Sequence, residues 1–106
     1  MTNATREYAG NLMREMGPVV YYIRVGALVK IGYTKDLPGR IRHYKRDECQ
    51  LLAWRTGGTL GMERAIHHRL WRSLAKGNEW FIPSVEVMAE VRDARIACGI
   101  AKYAND

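Results

Sequence analysis

A chain of 106 residues with 17 Lys and Arg against 11 Asp and Glu has room for one domain with one modest core, not for two. Its apolar fraction of 47% is too high for a disordered body, and no apolar run approaches the ~18 residues that a membrane span needs. The net charge of +6 is concentrated, since Arg24 to Lys76 holds twelve Lys or Arg against four acids, and such a stretch suits a polyanionic partner or a solvated basic surface.

In chain order, Thr2 to Met16 reads as a helix, with Tyr8, Leu12, Met13 and Met16 at helical spacing and Gly17-Pro18 ending it. This stretch carries acids and lacks the apolar segment of a secretory signal, so the expected compartment is the cytoplasm. Val19 to Ile23 and Leu28 to Gly32 are β-branched and aromatic runs around Gly26, the pattern of a β-hairpin. A turn centred between Val25 and Gly26 would set Tyr22 opposite Val29 and Tyr21 opposite Lys30. Val20, Tyr22, Val29 and Ile31 would then share the core face, and Tyr21, Ile23, Leu28 and Lys30 the other. An ammonium beside a phenol favours phenolate, so Tyr21 with Lys30 is a candidate base.

Asp36 or Thr34 can cap a second helix with Pro38 in its first turn. Its inner stripe is Leu37, Ile41 and Tyr44, while Arg40, His43 and Asp47 form a neighbouring stripe. Gln50 to Thr56 is a third strand, in which Leu51, Ala53 and Arg55 alternate with Leu52, Trp54 and Thr56. Thr59 caps a helix running to about Leu74, with Met62, Ala65, Ile66, Arg69, Leu70 and Ser73 inward. Glu63 and His67, four residues apart, share one face, where they can bind one divalent ion or each other. Gly77-Asn78 is a turn, Trp80 and Phe81 are core anchors, and Ser84 caps a last helix with Val87, Met88, Val91, Ala94 and Cys98 buried. Cys49 and Cys98 are isolated thiols, and their spacing with His43, His67 and His68 fits no structural zinc site.

Val19-Val20-Tyr21, Lys30-Ile31-Gly32, Arg40, Glu63 to His67 and Gly77-Asn78-Glu79-Trp80-Phe81 occur in one order, and together they resemble the GIY-YIG nuclease superfamily. The likeness is to the branch of phages and large viruses whose second motif reads Lys-Ile-Gly; Val19 stands at the first motif's Gly, and Lys30 at the second motif's Tyr. The resemblance implies an α+β fold, a three-stranded antiparallel sheet flanked by helices, filling residues 1–106 as one nuclease domain. It also implies phosphodiester hydrolysis with one divalent metal, Mg²⁺ or Mn²⁺. Tyr21 aided by Lys30 would deprotonate or orient the attacking water, Glu63 would ligate the metal, and Arg40 would stabilise the phosphate. His67 would protonate the leaving oxygen or orient Glu63, with Tyr33 and Glu79 as second-rank candidates. Arg24, Tyr33, Lys35, Arg42, Lys45 and Arg46 are the candidate nucleic-acid contacts. The expected partner is nucleic acid, DNA ahead of RNA, met by a monomer or weak homodimer in a cell's or host's cytoplasm. The competing reading is a binding or protein-interaction module that kept the scaffold without turnover.

Overall fold

The computed structural model describes residues 16–44 and 48–100. The helix expected from Thr2, apart from Met16, and the candidates Lys45 and Arg46 lie outside the described residues.

Val19–Val25 forms β1 and Leu28–Thr34 forms β2, paired antiparallel. Between them Gly26 has a φ of 60° and Ala27 does not, as in a two-residue turn with glycine at its first central position. The expected register is therefore corrected by two residues: Tyr21 pairs with Gly32, Tyr22 with Ile31 and Ile23 with Lys30. A slip of two leaves every side chain on its own face, so the expected division of faces stands. Lys30 is now diagonal to Tyr21 rather than opposite it.

Cys49–Thr56 forms β3 on the far edge of β1, with a register shift between Tyr22 and Ile23. Ala53 pairs with Tyr22 and Leu51 with Ile23, so Leu52 is the extra residue of a bulge. The bulge breaks the expected alternation: Leu52 and Ala53 both join one core cluster, while Leu51 and Trp54 pack on the other.

The class is α+β, but the antiparallel sheet has five strands rather than the expected three, in the order β3-β1-β2-β5-β4. The two unexpected strands are β4, Leu74–Lys76, and β5, Trp80–Phe81, too short to show a period in sequence. Helix α1 spans Leu37–Ile41 and is shorter than expected; Asp36 caps it by accepting from the Gly39 amide at 3.2 Å. Helix α2 spans Leu60–Arg69 under a Thr59 cap, and α3 spans Val85–Ala97 under a Ser84 cap. Helix α2 stops short of Leu74 because Trp71–Ser73 tightens into a 3₁₀ turn that delivers the chain to β4. Ala65 and Arg69, expected inward on α2, are exposed.

Both sheet faces are covered, which is why β1 reads as a near-continuous apolar run. On one face Val20, Tyr22, Val29 and Ile31 meet Ile66 and Leu70, then Val87, Val91 and Ala94 of α3. On the other, Val19, Tyr21 and Ile23 meet Leu37, with Ile41, Tyr44 and Trp54 half-buried around them. The first face also holds a charged network that the apolar stripe of α3 did not announce. Glu90, 4% exposed, accepts from the Tyr22 hydroxyl, from Arg69, and from Arg55 Nη2 at 3.0 Å. Burial alone would raise its carboxyl, but these partners outweigh burial and hold it below the usual carboxylate range. The same burial, with Glu90 alongside, pushes the Tyr22 phenol far up.

Candidate functional site

Two groups of side chains approach β2 from opposite faces of the sheet. Tyr21, Lys30, Tyr44 and Trp80 form the first. Lys30 is nearly buried, with Nζ 5.9 Å from the Tyr21 ring centroid and 5.6 Å from those of Tyr44 and Trp80. Nζ donates to the Tyr44 hydroxyl at 2.9 Å and pairs with Glu79 at 3.5 Å. Burial would lower the lysine pKa, but the Tyr44 bond and the nearby Tyr21, Tyr44 and Glu79 side chains overcome it and raise it, so Lys30 is a fixed cation.

Tyr21 is 1% exposed, and burial pushes its phenol above the ordinary tyrosine value despite Lys30 and Arg40 pulling it down. This corrects the expectation that Lys30 would poise a phenolate: desolvation wins over the neighbouring charge, and Tyr21 is a neutral phenol at physiological pH. Its ring lies across Gly32. A Cβ built on Gly32 would stand 2.5 Å from the Tyr21 hydroxyl oxygen and 2.6 Å from Cζ, so the glycine is what lets the phenol cross β2.

The second group comes from α2. Strand β5 pairs with Val29 and Lys30 only, and the Glu79 carbonyl accepts from the Ile31 amide at 3.0 Å, so β5 leaves the β2 edge before Gly32. His67 and Glu63 occupy that edge. His67 Nε2 lies 2.6 Å from the Ile31 carbonyl oxygen. A carbonyl can only accept, so Nε2 carries the proton and donates, and Nδ1 is left facing Glu63 Oε1 at 3.8 Å. Burial pushes the Glu63 carboxyl up; Glu79 adds to the rise, and His67, the Tyr33 backbone and Arg64 oppose it. Glu63, His67 and Glu79 line a cleft of about 600 Å³.

Tyr21, Lys30 and Arg40 do not line that cleft. The two groups are linked by Glu79, which pairs with Lys30 and faces Glu63, and by the open Gly32-Tyr33 edge. Arg40 is half-buried near enough to Tyr21 to act on its ionisation, and it forms no ion pair among the described residues. Of the expected nucleic-acid contacts, Lys35 and Arg42 are exposed near α1, and Arg42 donates to the Pro38 carbonyl at 3.2 Å. Tyr33 is half-buried. Arg24 pairs with Val29 on the opposite sheet face from Tyr21 and donates to the Gly26 carbonyl, so it stands apart from the group. Tyr44 is the member that sequence reasoning placed only in the core. Its signal was the four-residue spacing from Arg40 in a turn that ends α1.

These features define an α+β domain whose chemically equipped side chains converge from both faces on one open strand edge. The T5orf172 domain model matches residues 18–96, and the chain belongs to that family. The domain is found in phage and other proteins and is associated with nuclease-like proteins related to the GIY-YIG and HNH kinds. No curated protein and no solved structure matches the chain. No described helix is long and apolar enough to cross a membrane.

Proposed function

We propose that the chain is a metal-dependent endonuclease of GIY-YIG type, with nucleic acid as substrate and DNA ahead of RNA. The observation that carries this reading is the approach to the Gly32-Tyr33 edge of a phenol laid across a glycine and of a carboxylate beside a histidine, with Arg40, which has no ion-pair partner among the described residues, near enough to Tyr21 to act on its ionisation.

The fit to a hard cation rests on Glu63, whose carboxyl is raised by burial and by a second carboxylate, the situation a bound cation relieves. Among the described residues no group of three or more His, Cys, Asp or Glu is placed to hold a metal, so a cation here would keep waters and draw on substrate oxygens. Glu63 would hold Mg²⁺ or Mn²⁺, and what the ion supplies when bound is Lewis-acid stabilisation of charge on the phosphate. The chain's own residues do the rest. Arg40 offers a planar fork of donors to two phosphate oxygens. Tyr21, as a neutral phenol, orients the attacking water through its oxygen rather than ionising. His67 is a positioning residue: Nε2 donates to the Ile31 carbonyl, which fixes the ring beside Glu63 at the β2 edge.

The burial of Tyr21 and the enclosure of Lys30 favour a second reading, a binding module without turnover. Single-turnover cleavage of labelled DNA with Mn²⁺ separates the two. Tyr21→Phe and Arg40→Ala are each expected to slow the parent about a hundredfold, the scale of losing one positioned donor or orienting group, with folding unchanged. Gly32→Ala should match Tyr21→Phe in rate, because its methyl must move the phenol, and should also cost about 1–3 kcal/mol in urea unfolding. A parent that binds DNA and never cuts it would make the binding module the right reading.

A further inference from the structure

Trp71 has no part in the chemistry described above, and the fold leaves it outside the core. It sits in the 3₁₀ turn between α2 and β4 and is 62% exposed, in contrast to the half-buried Trp54 and Trp80. Single exposed apolar residues are ordinary on a protein surface. Trp71, however, borders the cleft that holds Glu63 and His67, together with Leu74, Arg64 and His68. The Arg72 guanidinium lies 5.5 Å from its ring centroid, and a second hollow beyond it is bordered by Glu86 and by Arg69, which is paired with Glu90.

We infer that Trp71 is a stacking platform for an unpaired nucleobase beside the candidate catalytic edge, and that it directs the enzyme to nucleic acid with single-stranded character. The inference deepens the nuclease reading and rests on it. A flat indole accepts any base face, and the cations around it suit the flanking phosphates. Inside a duplex both faces of each base are already stacked, so away from its ends only a single strand, gap or flap can offer one. The occupant is an unpaired nucleotide, whose phosphates would meet Arg72 at the indole and Arg64 in the cleft; these two form no ion pair among the described residues, whereas Arg69 is held by Glu90.

The test is equilibrium binding, by fluorescence anisotropy in chelator, of a short labelled oligonucleotide as a single strand and as a blunt duplex. The parent, Trp71→Ala and Trp71→Phe are compared, with sedimentation velocity on each. Trp71→Ala is expected to weaken single-strand binding about tenfold and duplex binding less than about twofold, and Trp71→Phe to stay near the parent. Equal loss on both forms, or no loss on either, would overturn the inference while leaving metal-dependent cleavage by the parent untouched. A parent dimer that Trp71→Ala dissolves would assign the surface to self-association instead. A parent that neither binds nor cuts any oligonucleotide would bring down the nuclease reading and this one together.

Discussion

Glu63→Gln will abolish metal-dependent cleavage, with a loss of at least about a thousandfold, while the protein stays as stable as the parent at neutral pH. The magnitude follows from removing the one carboxylate placed to hold the cation: each 1.36 kcal/mol of lost stabilisation costs about tenfold, and a metal's charge stabilisation is worth several kcal/mol. The stability half follows from the direction of the pKa shift. Burial raises the Glu63 carboxyl in the folded chain, so ionised Glu63 opposes folding. Its favourable contribution is present at acid pH and is lost as pH rises through the raised folded value. Above that value an uncharged amide of the same shape removes a cost, and the variant should melt at the parent's temperature or higher. Thermal melts and single-turnover rates check both halves. A variant that cuts at the parental rate would remove Glu63 from the metal's path. The parent's cleavage should also fall away on the acid side as Glu63 takes up its proton, and this limb should move to lower pH as the metal concentration is raised, because proton and cation compete for the same carboxylate.

The second large effect lies away from the site. Glu90→Ala removes a 4%-exposed carboxylate, takes the acceptor from the Tyr22 hydroxyl and the counter-charge from Arg55, and leaves those two only their mutual bond, Arg55 Nε donating to the Tyr22 oxygen at 3.0 Å. Breaking a buried ion pair by deleting one partner costs about 3–5 kcal/mol; discounted for the partly exposed arginines, about 3 kcal/mol is expected. For a domain of this size that lowers Tm by more than about 10 °C. Here the shift has the opposite sign to that of Glu63: the folded carboxyl is held low. Its stabilisation is full above the unfolded value, near pH ~4.3, and is lost as pH falls through the lower folded value. Urea titrations from neutral pH to pH ~3 should therefore show the parent losing more stability than Glu90→Gln. Parallel curves would mean that Glu90 is not held as an ion.

How much of this was legible in the sequence depends on which physical effect decided each feature. Asp36, Thr59 and Ser84 were readable as caps because capping is local, and all three side chains accept the expected amide. The faces of β1 and β2 were readable because alternation survives a slip of two. The register was not, because it hangs on whether Gly26 takes the first turn position. The bulge at Leu52 and the two-residue strand at Trp80 leave no periodic trace. At the site, residue identity suggested which groups act, while burial set how: a pattern shows Lys30 near Tyr21 but not that desolvation outweighs the lysine. Glu90 was missed for a related reason. A carboxylate on an apolar stripe becomes intelligible only once Tyr22, Arg55 and Arg69 arrive from three other elements.

The most direct test of nuclease function is incubation of the parent chain with supercoiled plasmid in Mg²⁺ or Mn²⁺, with a matched sample in chelator and Glu63→Gln alongside. Relaxed or linear plasmid should accumulate with the metal in the parent sample alone. Plasmid that stays supercoiled, together with intact single-stranded and branched DNA and RNA under the same conditions, would contradict hydrolysis and leave a T5orf172 domain that binds without cutting.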